Sequence, residues 1–280
     1  LATLVEPETV DDVVSSYLHL YRQGGWLPKC TWHASGYARV MIGNHAVAII
    51  ADAVTKGFSG FDPDIAWEAV HKSATEDNLL AEGLCGYANL GTPAEYIEQG
   101  YVGHECDLHQ SASMTLEYAY NDWCTARVAE ALGRSEDAAA FDARAENYRN
   151  QFNPETGFMQ GRKRNGDWVE PFDPADGEDA NDFCEATSWI YTWFVPHDVP
   201  GLIGLLGGEQ AFVSRLDEFF ERGHFDPSNE PSFHVPWLYG RAGAPARTQQ
   251  RVRTILRTAF SDRPGGLPGN DDAGATSAWY

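Results

Sequence analysis

Carboxylates on turn-rich loops are the side chains of this chain best suited to chemistry, and they fall in three stretches. The last, Pro264 to Gly274, has two prolines and four glycines in eleven residues. That rules out a regular element and holds Asn270, Asp271 and Asp272 on a loop ahead of a helix. Such carboxylates can serve as a base or as cation ligands; equally, they can close an Asx-turn and cap the helix that follows. In the second stretch, Phe183 to Phe194, Glu185 is the only charge in a run of aromatic and aliphatic residues. Burial there would raise its pKa and keep it protonated, as a general acid requires; a Glu offsetting a helix dipole gives the same pattern. The third, Gly223 to His234, sets Asp226, Ser228, Asn229 and Glu230 on a loop that carries Pro227 and Pro231. These oxygen donors suit a hard cation such as calcium, without the spacing of an EF-hand, and His234 reads as core-facing.

A fourth cluster, His104, Glu105, Asp107 and His109, reads as a metal site or as a solvated polar loop. It lies in Leu79 to Gln110, which glycines break into short pieces and which is expected to be a long loop or lid. Five cysteines show no CxxC pair and an odd count, so no complete disulfide framework is indicated. One disulfide among Cys30, Cys85, Cys106 and Cys184 can form without its pairing being assignable, and Cys124 reads as a small buried group inside a helix. The 41 acidic against 20 basic residues give a formal charge of -21, which repels nucleic acid and anionic membrane. No apolar run approaches the roughly 20 residues of a membrane span. The opening residues carry neither an initiator Met nor a basic-then-apolar signal, so the chain reads as part of a longer protein.

The elements that must position these loops are helices. Apolar spacing predicts them over Val10 to Tyr21, ending at Gly24-Gly25, over Ala46 to Val54, and over Pro63 to His71 behind an Asp62 cap. Ala112 to Leu132 and Glu136 to Phe152 form an αα-hairpin across Gly133, with Ser135 opening the second helix. A short surface hairpin is expected within Phe158 to Phe172. Further helices are expected from Pro200, capped by Asp198, over Gln210 to Phe220, and over Ala246 to Phe260, whose Arg247, Arg251, Arg253 and Arg257 make a solvated face.

In order along nearly the whole chain, several stretches resemble the catalytic module of glycoside hydrolase family 92, the calcium-dependent exo-acting α-mannosidases. They are Gly25 to Lys29, Met41 to Gly43, Ala51 to Ala53 with Lys56-Gly57, Thr115 to Tyr120 with Asp122-Trp123, Val195 to Asp198 with Gly201-Leu202, Asn229 to Ser232, and Leu267 to Tyr280. The resemblance implies an all-α fold, an (α/α)6 barrel, with residues 1–280 as one partial module. It also implies hydrolysis of terminal α-linked mannose from glycans with inversion, and a secreted or extracytoplasmic protein. Glu185 would be the general acid and Asp272 the general base, assisted by Asn270 or Asp271. Calcium would be held through Ser228, Asn229, Glu230 and Asp272, and His224, Phe225, Trp189 and Trp26 would bind the sugar.

The sequence departs from the family pattern in two places. Ala186-Thr187-Ser188-Trp189-Ile190 replaces a more polar stretch after the acid, and Phe225 stands where members cleaving α-1,2 bonds tend to have Glu. The second weakens an α-1,2 assignment. Retention of Glu185 favours a sugar hydroxyl over phosphate as leaving group. The family's N-terminal β-sandwich and a Trp-Asp motif contacting mannose have no counterpart here, so a fragment is expected. A non-catalytic carbohydrate-binding or scaffold remnant is the alternative function.

Overall fold

The computed structural model describes residues 2–29, 37, 41–78, 89–106, 110–177 and 182–280. The fold is all-α, as expected, and the chain divides into two compact units. The first comprises Leu1–Gln151, Gln160–Pro171 and Asp182–Cys184, and the second Phe152–Met159, Phe172–Asn181 and Glu185–Tyr280.

The first unit contains α1 (Ala2–Val5), α2 (Val10–Gly24), α3 (Ala46–Thr55), α4 (Pro63–Thr75), α5 (Ala94–Gln99), α6 (Ser111–Ala131) and α7 (Ser135–Ala145). Helix α2 buries Val10, Val14, Leu18 and Tyr21, one stripe of a 3.6-residue period. It ends as the glycines dictate: Gly25 takes φ 81° and its N–H closes on Tyr21 O at 2.7 Å. Asp62 caps α4, accepting from Asp64 N at 3.0 Å and Ile65 N at 3.2 Å, with Pro63 in the first turn. Helix α6 is buried on nearly every face, from Ala112 through Ala129, and so forms the centre of the unit. Beside it Arg144 holds the buried Asp122 with two bonds, Nε to Oδ2 at 2.7 Å and Nη2 to Oδ1 at 2.5 Å; the Tyr96 hydroxyl donates to Oδ2 at 2.8 Å.

Three expectations are corrected here. The Leu79–Gln110 stretch is not wholly loop, since α5 lies within it. Ser135 does not cap α7: the helix begins on it, and the preceding Arg134 makes no side-chain cap bond. The second hairpin helix stops at Ala145, tightens into a 3₁₀ turn over Glu146–Gln151 and becomes a strand at Phe152. Cys124 is buried in α6, and burial pushes its thiol up to about 12. Cys106 is disulfide-bonded; Cys30 and Cys85 lie outside the described residues.

The second unit opens with β1 (Phe152–Asn153) and β2 (Phe158–Met159), antiparallel with Phe152 opposite Met159, joined across a turn at Gly157. Both strands are buried; the surface hairpin expected within Phe158 to Phe172 is a separate feature, the antiparallel pairing of Arg162 with Trp168 around Gly166, whose residues are half-buried or exposed. Then follow α8 (Ser188–Tyr191), α9 (Val199–Leu205), α10 (Glu209–Glu221), α11 (Leu238–Arg241), α12 (Pro245–Thr258) and α13 (Ala275–Trp279). Asp198 caps α9 by accepting from Gly201 N at 2.9 Å. The core is aromatic: Trp193 meets Phe212 edge-on at 5.3 Å and Phe219 at 6.0 Å, all three fully buried. Arg247, Arg253 and Arg257 of α12 are exposed, as expected, whereas Arg251 lies over the Phe220 ring at 5.0 Å.

Candidate active site

All three acidic stretches deliver their key side chains within the second unit. Glu185 stands at φ 52°, in the left-handed region that costs a non-glycine residue about 1–3 kcal/mol. That reversal throws the one charged side chain of its run outward, while Phe183, Cys184, Ala186 and Ser188 to Tyr191 turn inward. Glu185 is therefore exposed, and the burial expected from its apolar neighbours is absent. Periodicity cannot reveal this, because a single residue at positive φ changes the facing of the chain.

The loop before the 3₁₀ turn at Glu230–Ser232 is organised by Asp226. Its Oδ1 accepts from Ser228 N at 2.8 Å and from Ser228 Oγ, an Asx-turn, so the Ser228 hydroxyl is already donating. Asn229 faces two ways. Its Oδ1 accepts from Glu230 N at 3.1 Å, and its Nδ2 donates to the Glu185 carbonyl at 3.3 Å and to Glu185 Oε2 at 3.2 Å. The Glu230 carboxyl is raised above its ordinary value by partial burial, and further by the negative charges of Asp272 and Glu185.

The glycine-rich loop closes on the Asn229 loop. Gly269 sits at φ 63°, and a Cβ there would lie 2.7 Å from Ser228 O. Beyond it the residues divide their roles. Asn270 O accepts from Thr276 Oγ1 at 2.8 Å, and Asp271 Oδ1 accepts from Ser277 N at 3.1 Å and from Ser277 Oγ. Asp271 thus takes the capping role that was the alternative reading of this loop. Asp272 is half-buried at φ 47°, the first of three consecutive left-handed residues with Ala273 and Gly274. Among the described residues, non-glycine positive φ occurs at Met41, Glu185, Asp272 and Ala273; the expected acid and base are two of these four.

The expected sugar-binding aromatics are distributed unevenly. His224 stacks on Trp189 with centroids 4.4 Å apart and planes 11° apart. Burial, then the Arg222 charge, lowers its pKa. Trp189 itself is only 5% exposed, edge-on to Phe158 at 4.7 Å, with the Arg215 and Arg222 guanidinium groups 5.5 and 5.7 Å from its ring. It supports His224 from behind. Phe225 packs on Phe220 at 5.3 Å. Trp26 belongs to the other unit, half-buried beneath the Lys72 ammonium at 4.6 Å.

Of the fourth cluster, His104 is bound through Nδ1 to Asp182 at 2.8 Å, and Glu105 accepts from Arg164 N at 2.9 Å. Asp107 and His109 lie outside the described residues. Among the described residues, no three His, Cys, Asp or Glu side chains are grouped to hold a metal by themselves. His234 lies against Trp193 O at 2.8 Å, in keeping with its core-facing reading. The Asn229–Glu185 contact, and the arginines around Trp189, were not visible in the sequence: they join residues tens of positions apart and leave no local pattern.

Comparison with known proteins shows the family of the chain. The family model described as the glycosyl hydrolase family 92 catalytic domain matches residues 1–280. An uncharacterized secreted glycosidase of Arthroderma benhamiae is 35% identical over 294 residues, covering 94% of this chain and 37% of that protein. A family GH92 α-mannosidase of Bacteroides thetaiotaomicron, solved in complex with mannoimidazole, is 35% identical with TM-score 0.86 over 99% of this chain and 38% of its own. An inverting GH92 mannosidase of the same organism is 31% identical with TM-score 0.88, over 98% of this chain and 39% of that one. The chain spans under two fifths of the length of these relatives. It belongs to glycosyl hydrolase family 92.

Proposed function

We propose that this chain carries the reacting groups of an exo-acting α-mannosidase that removes terminal α-linked mannose from glycans with inversion. In this reading Glu185 protonates the departing glycosidic oxygen as its bond to C1 breaks. Asp272 takes a proton from the water that attacks C1 from the opposite face, giving β-mannose. The observation that carries the reading is the gathering, within one unit, of Glu185, Glu230 and Asp272 on three loops, with Glu185 and Asp272 both in left-handed backbone. Inversion requires the two carboxyl groups about 6.5–9.5 Å apart, room for one water. With Glu185 exposed, exclusion of water from the acid falls to the bound sugar.

The donor set fits calcium. Asn229, Glu230, Asp272 and the oxygen of Ser228 are all hard ligands, and the pressure that Asp272 and Glu185 place on the Glu230 carboxyl is what a divalent cation relieves. Bound there, calcium would supply positive charge for the O2 and O3 hydroxyls of mannose. Secretion accords with the disulfide at Cys106 and with the relative described as secreted.

The test is mannose release from an α-mannoside, followed by proton NMR, with calcium and then with excess EDTA. Calcium-dependent appearance of the β-anomer is expected. A folded sample that binds mannoside without turnover would overturn the reading in favour of a carbohydrate-binding role.

A further inference from the structure

The Asn229 amide touches Glu185 at two atoms, and its orientation is determined. Its Oδ1 faces a donor, the Glu230 N–H, so Nδ2 must face Glu185, where both neighbouring atoms, the backbone carbonyl and Oε2, are acceptors. One NH2 group thus spans main chain and carboxylate of the same residue, at 3.3 and 3.2 Å, and holds the side chain relative to a strained backbone. Asn229 is itself pinned: Ser232 N donates to its carbonyl at 3.4 Å, Ser232 Oγ donates to Asp226 O across the same loop, and the preceding Ser228 is fixed by Asp226. We propose that Asn229 is a positioning residue for the general acid. By donating to Oε2 it leaves Oε1 as the oxygen that bears the transferable proton, and it strengthens its bond as negative charge develops on Glu185. The step balances: the Oε1 proton passes to the glycosidic oxygen as C1–O breaks, the electron pair of that bond stays on the departing oxygen, and Glu185 is left as a carboxylate receiving a charge-assisted bond. This rests on the reading of Glu185 as acid and goes beyond a ligand role for Asn229.

The test separates acid positioning from every other role by the leaving group. Wild type, N229D and N229S are compared on a mannobioside, whose leaving alcohol needs protonation, and on 2,4-dinitrophenyl α-mannoside, whose leaving group does not. At saturating calcium, expected for both variants is a fall in kcat on the mannobioside of about 100-fold, at least about 10-fold larger than the fall on the activated substrate. On the mannobioside, N229D combined with E185Q should be no slower than E185Q alone, since both act through one proton transfer. Calcium titration by calorimetry should show N229D retaining the ion. Equal losses on both substrates, additive effects with E185Q, or unchanged kcat on the mannobioside would each overturn the proposal. Absence of turnover by wild type on both substrates would overturn the mannosidase reading, and this proposal with it. Turnover by wild type that E185Q leaves unchanged on the mannobioside would remove Glu185 as acid, and the positioning role with it.

Discussion

Gly269 approaches Ser228 so closely that a Cβ on it would lie 2.7 Å from Ser228 O and 2.8 Å from Ser228 Cβ. The contact joins the loop that carries Asp272 to the loop that carries Asn229 and Glu230. Because Gly269 also sits at φ 63°, both its backbone conformation and its missing side chain are in use. Gly269→Ala is expected to cost about 1–3 kcal/mol, read as a lowered urea midpoint, and to lower kcat by displacing Asp272. Full activity at unchanged midpoint would show that the two loops need not touch.

Asp271 and Asp272 are neighbours with different surroundings, Asp271 accepting from Ser277 and Asp272 half-buried in left-handed backbone. Asp272→Asn should lower kcat by about 10²–10⁴-fold. Asp271→Asn keeps an oxygen for Ser277 and should retain most activity, while Asp271→Ala should lose about 1 kcal/mol of stability with the cap. Steady-state rates beside thermal melts distinguish them; a larger rate loss in Asp271→Asn than in Asp272→Asn would reverse the assignment.

Stability of the first unit depends on Arg144. Removing it in Arg144→Leu leaves the Asp122 carboxylate buried with only the Tyr96 hydroxyl and should cost about 3–5 kcal/mol. Denaturant melts check the value. A change below about 1 kcal/mol would mean that Asp122 finds another partner or takes up a proton at little cost.

His234 sets a pH dependence. Burial lowers its pKa in the folded chain, so below about pH 6.5 the unfolded chain binds a proton that the folded chain resists. The sign follows: stability falls as pH drops through the unfolded value toward the lower folded one. The urea midpoint of wild type should fall more between pH 7.5 and 5.5 than that of His234→Gln, which retains an N–H for Trp193 O. Parallel slopes would remove His234 as the source.

Local chemistry made much of this legible. Apolar spacing located α2, α4 and α10 to within a few residues, because an amphipathic helix must bury what it displays. Gly25, Asp62 and Asp198 acted at helix ends as their side chains, or the lack of one, require. Likewise the turn-rich composition around Asn229 and Asp272 marked both loops.

Two things had no local signature. The apolar run around Glu185 argued for burial, yet one left-handed residue exposes it; φ at a single position answers to the packing of its neighbours, not to their hydrophobicity. Nor could spacing assign Asp271 to a cap and Asp272 to the open site, since adjacent aspartates are equivalent until α13 presents Ser277 to one of them. The sequence by itself determined which residues could do chemistry and which segments were helical, through side-chain type and period. Only the tertiary structure decided which carboxylate faces which, because the bonds from Asn229 to Glu185 and the contact of Gly269 with Ser228 span about forty residues, and only folding brings such distant positions together.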